Sequence, residues 1–213
     1  MEEQRPIYGK RILLSFIIAT IIFAGGFLSG YLISYSKYQS ISISQEKIRY
    51  HLMDLDLQGK LITSSCNSPD FYSFSSELDS IGSIIGILEQ RFGKKDNKVL
   101  EQKEIYSMLE TQHFLLIKNY NEKCKKSIPT ILFFYSNLEE FSGQSDKIGY
   151  ILSSIKSQKK QIMIYSFDYD LDTSLIKLLK KNYNVTQPNT VIVNENLKLV
   201  QIKNIEDIQK YLK

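Results

Sequence analysis

Two residue types in this chain could carry covalent chemistry, cysteine and histidine, and each occurs only twice. Cys66 and Cys124 stand far apart, with no histidine pair near either. Their spacing writes no zinc-type ligand cluster, so no metal and no other cofactor is expected. Two distant thiols can still form a disulfide, or exchange one. His51 and His113 fall in helix-forming stretches with no nucleophile or carboxylate at a telling spacing, and read as ordinary surface or interhelix residues. Serine is no substitute for the thiols, because a hydroxyl becomes a nucleophile only beside a general base and no histidine follows position 113. No catalytic residue is assigned.

The elements that must position these residues begin with a membrane segment. Residues 12–36 contain no charge, and "ILLSFIIATIIFAGGFLSGYLI" is long enough to cross ~30 Å of hydrocarbon at ~1.5 Å per residue. A cleaved signal peptide is the rival, but the run exceeds the usual ~7–15 residue apolar core and no Ala-x-Ala-like site closes it. The reading is a tail at 1–11, a single-pass transmembrane helix at 12–36, and an uncleaved anchor in a cell membrane. Basic residues balance across the segment, with Arg5, Lys10 and Arg11 before it and Lys37, Lys47 and Arg49 after it. The short tail and the cysteines favour a cytoplasmic tail and an extracytoplasmic body. Gly26 and Gly30 form a GxxxG spacing that could bring two copies together as a homodimer, the alternative being glycines that simply face lipid.

Residues 37–126 read as a helical stalk and hairpin bundle. Ile48, Leu52, Leu55 and Ile62 mark a first helical face, and "TSSCNSPD" with Pro69 breaks it. Leu78, Ile81, Ile85, Leu88 and Phe92 step by three and four like a coiled-coil seam, stopping at Gly93. A third helix from about Val99 to Lys123 carries Ile105, Met108, Leu109, Gln112, Leu116 and Tyr120 on one stripe, with Glu101, Lys103 and Glu104 on a solvated face. Short connections imply antiparallel neighbours. An up-down-up path puts Cys66 and Cys124 at one level, which allows a disulfide and hence an oxidising compartment. Two unpaired thiols in a cytosolic body are the alternative.

Beyond Ile128 the period changes. "SIPTILFFYS" and "QIMIYSFDYD" are strands separated by a helix bearing Ile148, Ile151, Leu152 and Ile155. A second helix with Leu175, Ile176, Leu178 and Leu179 follows. Then "NTVIVNENLKLVQI" gives two strands joined at Asn194-Glu195-Asn196, and "NIEDIQKYLK" a closing helix. The fold class is α/β, a mixed sheet flanked by helices. Hydrophobic residues at 43%, charged residues at 23% and a net charge of +4 spread evenly along the chain fit a folded protein without a nucleic-acid surface.

This order of elements, over residues 127–213, resembles the thioredoxin-like family. Pro188, in "VTQPNTVIV", stands before the third strand, where the family has a cis-proline, and "FSGQSDKIGYIL" falls where it has Cys-x-x-Cys opening a helix. With the front half, the whole resembles membrane-anchored thioredoxin-like proteins of prokaryotes. The resemblance implies a degenerate active-site turn, Ser142-Gly143-Gln144-Ser145, and a groove bordered by Gln187 and Pro188 that receives an extended polypeptide by strand addition. It departs from the family at both sulfurs. Ser142 has an ordinary role available, as cap of the following helix. Asn184-Val185-Thr186 is an N-x-T sequon, meaningful only in a glycosylating compartment.

The function expected from these readings is a redox-inactive domain, not an enzyme, that binds a polypeptide or scaffolds an envelope assembly. The alternative is a thiol–disulfide oxidoreductase or isomerase that uses Cys66 and Cys124 outside the family's turn.

Overall fold

The computed structural model describes residues 7–41, 45–64, 66, 71–159 and 161–212. Arg5 and Pro69, with most of the loop around Pro69, lie outside the described residues. The chain divides into two units, Met1–Ser42 and Ile43–Lys213. The first holds helix α1, Ile7–Ile41, of which Gly9–Tyr35 is long and apolar enough to cross a membrane, with none of it buried against protein. Single-pass anchoring follows from its length and composition. Tyr31 and Tyr35 stack near its C-terminal end, a place where amphipathic rings suit a membrane interface.

The second unit contains helices α2 (Gln45–Ser64), α3 (Phe71–Phe92) and α4 (Asn97–Cys124), then β1 (Thr130–Tyr135), α5 (Glu139–Gln158), β2 (Met163–Asp168), α6 (Ser174–Asn182), β3 (Thr190–Val193), β4 (Leu197–Leu199) and α7 (Glu206–Gln209). Gly93 ends α3 at φ +91, a conformation that side chains with a Cβ rarely adopt. Three residues later Asp96 caps α4 by accepting from the Lys98 N–H at 2.9 Å. This tight connection makes α3 and α4 antiparallel neighbours.

The sheet order is β2-β1-β3-β4, with β1 and β2 parallel and β3 antiparallel to both β1 and β4. That is a mixed four-stranded sheet. Asn194 and Glu195 both take positive φ to turn β3 into β4. Alternation along β1 sends Leu132 and Phe134 to one face and Ile131 and Phe133 to the other. The second face packs on α5 and α7 through Ile148, Leu152, Ile155 and Ile208. The first packs on α6 and also on α3 and α4, so helices and sheet share one apolar cluster.

That sharing corrects the expected face of α4. Between α2, α3 and the sheet it is covered on several sides, burying Val99, Phe114, Ile117 and His113 as well as Leu109, while Met108 of the expected stripe is exposed. Lys103, expected in solvent, is buried for the same reason.

Candidate functional site

α4 delivers Cys124 to its last turn. Lys125 then adopts left-handed geometry at φ 51 and donates its N–H to Asn121 O, ending the helix. The Asn121 side chain fixes the exit: its Nδ2 donates to Ile128 O and its Oδ1 accepts from Ile128 N, both at 2.9 Å. Cys124 thereby lies half-buried against the shared apolar cluster, just before β1. Cys66 is bonded to it, with a Cα–Cα separation of 5.6 Å, and is exposed. Lys123, Lys125 and Lys126, next to Cys124 in the chain, are exposed, as is Glu122.

The bond corrects the central functional expectation. A redox-inactive protein that is not an enzyme was inferred from serines standing where the family has sulfur. The chain nevertheless holds a formed Cys66–Cys124 disulfide, and a disulfide is itself the oxidised reagent of thiol exchange, whatever element carries it. The alternative reading, which uses Cys66 and Cys124 outside the turn, is the one this bond favours.

The turn lies at the other end of β1. Helix α5 starts at Glu139, with Leu138 as its N-cap, so Ser142-Gly143-Gln144-Ser145 forms part of the helix body instead of opening it. Ser142 is therefore not the cap: its Oγ donates to Glu139 O at 3.3 Å. The serine that serves the helix start is Ser136, whose Oγ accepts from Leu138 N at 3.1 Å and donates to Asp170 Oδ2 at 2.6 Å. Gln144 Nε2 donates to Ile202 O.

Ser145 points inward. Its Oγ accepts from Ser136 N at 3.0 Å and approaches Ser136 O at 2.9 Å and Asn189 Oδ1 at 2.5 Å. Asn189 in turn donates its backbone N–H to Phe134 O and its Nδ2 to Phe141 O. The segment after Gln187 and Pro188 is thus tied to the end of β1 and to α5, which brings Ser145 close to the residue following Pro188. The peptide bond before Pro188 is trans, since no cis bond occurs among the described residues, and the expected cis-proline is corrected accordingly.

Beside this end sits a buried ionic cluster that the sequence did not reveal. Lys103 Nζ lies 2.6 Å from Glu89 Oε1 and 2.7 Å from Asp168 Oδ2, and Asn137 Nδ2 donates to the same Asp168 oxygen. The signal available was Asp168 itself, a carboxylate ending an apolar strand, which needs a cation when buried. Burial also governs the neighbouring titrations. It holds the Tyr135 hydroxyl well above its usual range, with Asp168 and Glu89 adding to the effect. His113 is enclosed by Phe71, Phe74 and Tyr165, and its Nδ1 meets the Tyr165 hydroxyl at 3.0 Å. Burial, helped by Lys156, brings its pKa down to about 4, so it is neutral at physiological pH.

Among the described residues no cluster of His, Cys, Asp and Glu could hold a metal ion. No protein-family model matches the chain, and no curated protein matches it in sequence.

Proposed function

We propose that this chain is a membrane-anchored thiol–disulfide exchange protein whose working pair is Cys66–Cys124. The observation that carries the reading is a formed disulfide with one exposed partner, Cys66, and one half-buried partner, Cys124. A substrate thiolate attacks Cys66 Sγ, the Cys66–Cys124 bond breaks, and Cys124 leaves as a thiolate. Lys123, Lys125 and Lys126, next to Cys124 in the chain, favour that departure, and the partial negative charge at the C-terminus of α4 opposes it. A second substrate thiol then attacks the mixed disulfide. Cys66 departs, two electrons have passed to the pair, and the substrate holds the new disulfide.

The partner implied is a polypeptide carrying two thiols. An oxidising compartment preserves such a bond, which supports an extracytoplasmic body and a cytoplasmic tail. The sheet order supports kinship with thioredoxin-like proteins. Gln187 and Pro188 then form a docking rim at the far end of β1, a distance that about six extended residues would span. The open space around Gly26 and Gly30 suits a second copy of α1.

The test mixes the full chain in detergent with a reduced dithiol peptide and follows both partners by mass. One disulfide should pass to the peptide per protein molecule, Cys66→Ser or Cys124→Ser should abolish transfer, and Cys124→Ser mixed with the oxidised peptide should accumulate a mixed disulfide through Cys66. A peptide that stays reduced beside an intact Cys66–Cys124 bond refutes the proposal.

A further inference from the structure

A cavity of about 840 Å³ opens between α3, α4, α5 and the outer edge of β2. At its floor is Glu110, a carboxyl from the middle of α4 that is 1% exposed. Its Oε1 accepts from the Ser166 N–H at 2.8 Å, which satisfies a donor on the free edge of β2. The Tyr106 hydroxyl approaches the same group, but Oε2 has no hydrogen-bond partner. Such a buried oxygen is costly unless something reaches it.

Three further observations describe what could. The first is room. A Cβ on Gly82 would stand 3.1 Å from the Tyr106 hydroxyl, whereas one on Gly86 or Gly149 would meet nothing within 4 Å. Glycine inside a helix costs about 1 kcal/mol relative to alanine, so these two positions weaken α3 and α5 while leaving the cavity open. The second is charge. Asp79 and Lys156 neutralise each other at 2.6 Å, Lys103 is shared by Glu89 and Asp168, and Lys94 and Asp146 add one charge of each sign to the lining, so the excess is a single acid before Glu110 is considered. The third is the wall, where Ile85, Phe133, Leu152 and Ile164 offer an apolar surface beside the polar floor.

We propose that this cavity binds a small organic cation, a primary amine or guanidine on a compact apolar body, with an N–H donated to Glu110 Oε2. The apolar body lies against Ile85, Phe133 and Leu152. Burial, the dominant influence, keeps the Glu110 carboxyl well above its usual range in the empty cavity, against the lowering effects of the Ser166 N–H, Tyr106 and Lys156; Asp79 raises it further. A bound cation favours the carboxylate, so binding of a protonated amine releases a proton from Glu110. The site is separate from the exchange pair, because fourteen residues of α4 place Glu110 about 21 Å from Cys124.

Calorimetric titration of the full chain in detergent with 2-phenylethylamine, 2-phenylethanol and 3-phenylpropanoate at neutral pH, in two buffers of different ionisation heat, tests this directly. The amine should saturate one site at least tenfold more tightly than either comparator, with proton release. Glu110→Gln should remove that preference. Gly86→Leu should block binding of all three without lowering the unfolding temperature, and it serves alone if Glu110→Gln does not fold. Equal affinity for amine and alcohol, preference for the carboxylate, absence of saturable binding, or full binding by Gly86→Leu would each overturn the proposal.

Discussion

The two ends of β1 handle polar chemistry in opposite ways. At its N-terminal end the disulfide reaches the surface, with Cys66 exposed and Cys124 half-buried between exposed lysines of the chain. At its C-terminal end Ser145 is bonded to Asn189 and Lys103 to Asp168, all four buried. An exchange reaction requires a sulfur that a second molecule can reach in line, and only the first end offers one. A buried network instead makes each removed partner expensive, because whatever remains is stranded in a low-dielectric interior. In this chain the disulfide and the start of α5 stand at opposite ends of β1.

Replacing either cysteine should give the largest effect. Cys66→Ser or Cys124→Ser should abolish disulfide transfer to a dithiol peptide and, for the 58-residue separation, lower stability by about 4 kcal/mol in the chain-entropy model, measured by denaturant unfolding. At the other end, Lys103→Met should cost about 3–5 kcal/mol by stranding Glu89 and Asp168, while leaving transfer intact. Lys118→Met provides the contrast. Its partner Glu195 is at the surface near the disulfide end, and the loss should stay under about 1 kcal/mol.

His113 sharpens the comparison through pH. Its folded pKa is depressed to about 4 while the unfolded value is the ordinary 6.5, so the unfolded chain binds the extra proton between them. Stability contributed by the neutral ring is fully present above about 6.5 and falls as pH drops toward 4, by about 3 kcal/mol in total. Unfolding free energies from pH 7 to 4 should show that slope in the native protein, and His113→Phe should flatten it. Two serines of one helix separate in the same way. Ser145→Ala should cost about 1–3 kcal/mol by leaving Ser136 N and Asn189 unsatisfied, and Ser142→Ala within about 0.5 kcal/mol.

Periodicity carried much of this architecture into the sequence. The seam Leu78, Ile81, Ile85 and Leu88 is buried, though Phe92 at its end is exposed, and the strands around Ile131–Phe134 and Val191–Val193 form in the expected order. Glycine at 93 marked the end of α3 because its local chemistry suffices there. Tertiary packing hid the rest. A lysine flanked by acids in "EQKE" reads as surface, and only the sheet lying against α4 buries Lys103. The start of α5 was misplaced because Leu138 caps without a side-chain bond, leaving no sequence mark, while the serines at 142 and 145 imitate one. For the candidate site, the level pairing of Cys66 and Cys124 was legible from helix count, but the weight given to the missing turn sulfurs concealed its functional meaning.

The most direct measurement is the equilibrium of the Cys66–Cys124 pair in the full chain against glutathione buffers of graded potential, read by alkylation and mass. An exposed pair that donates its disulfide should be half-reduced at a potential well above about −300 mV and come to equilibrium reversibly from both directions. A bond that remains intact below about −300 mV would be a resistant structural link, and that result would contradict exchange as the function of this protein.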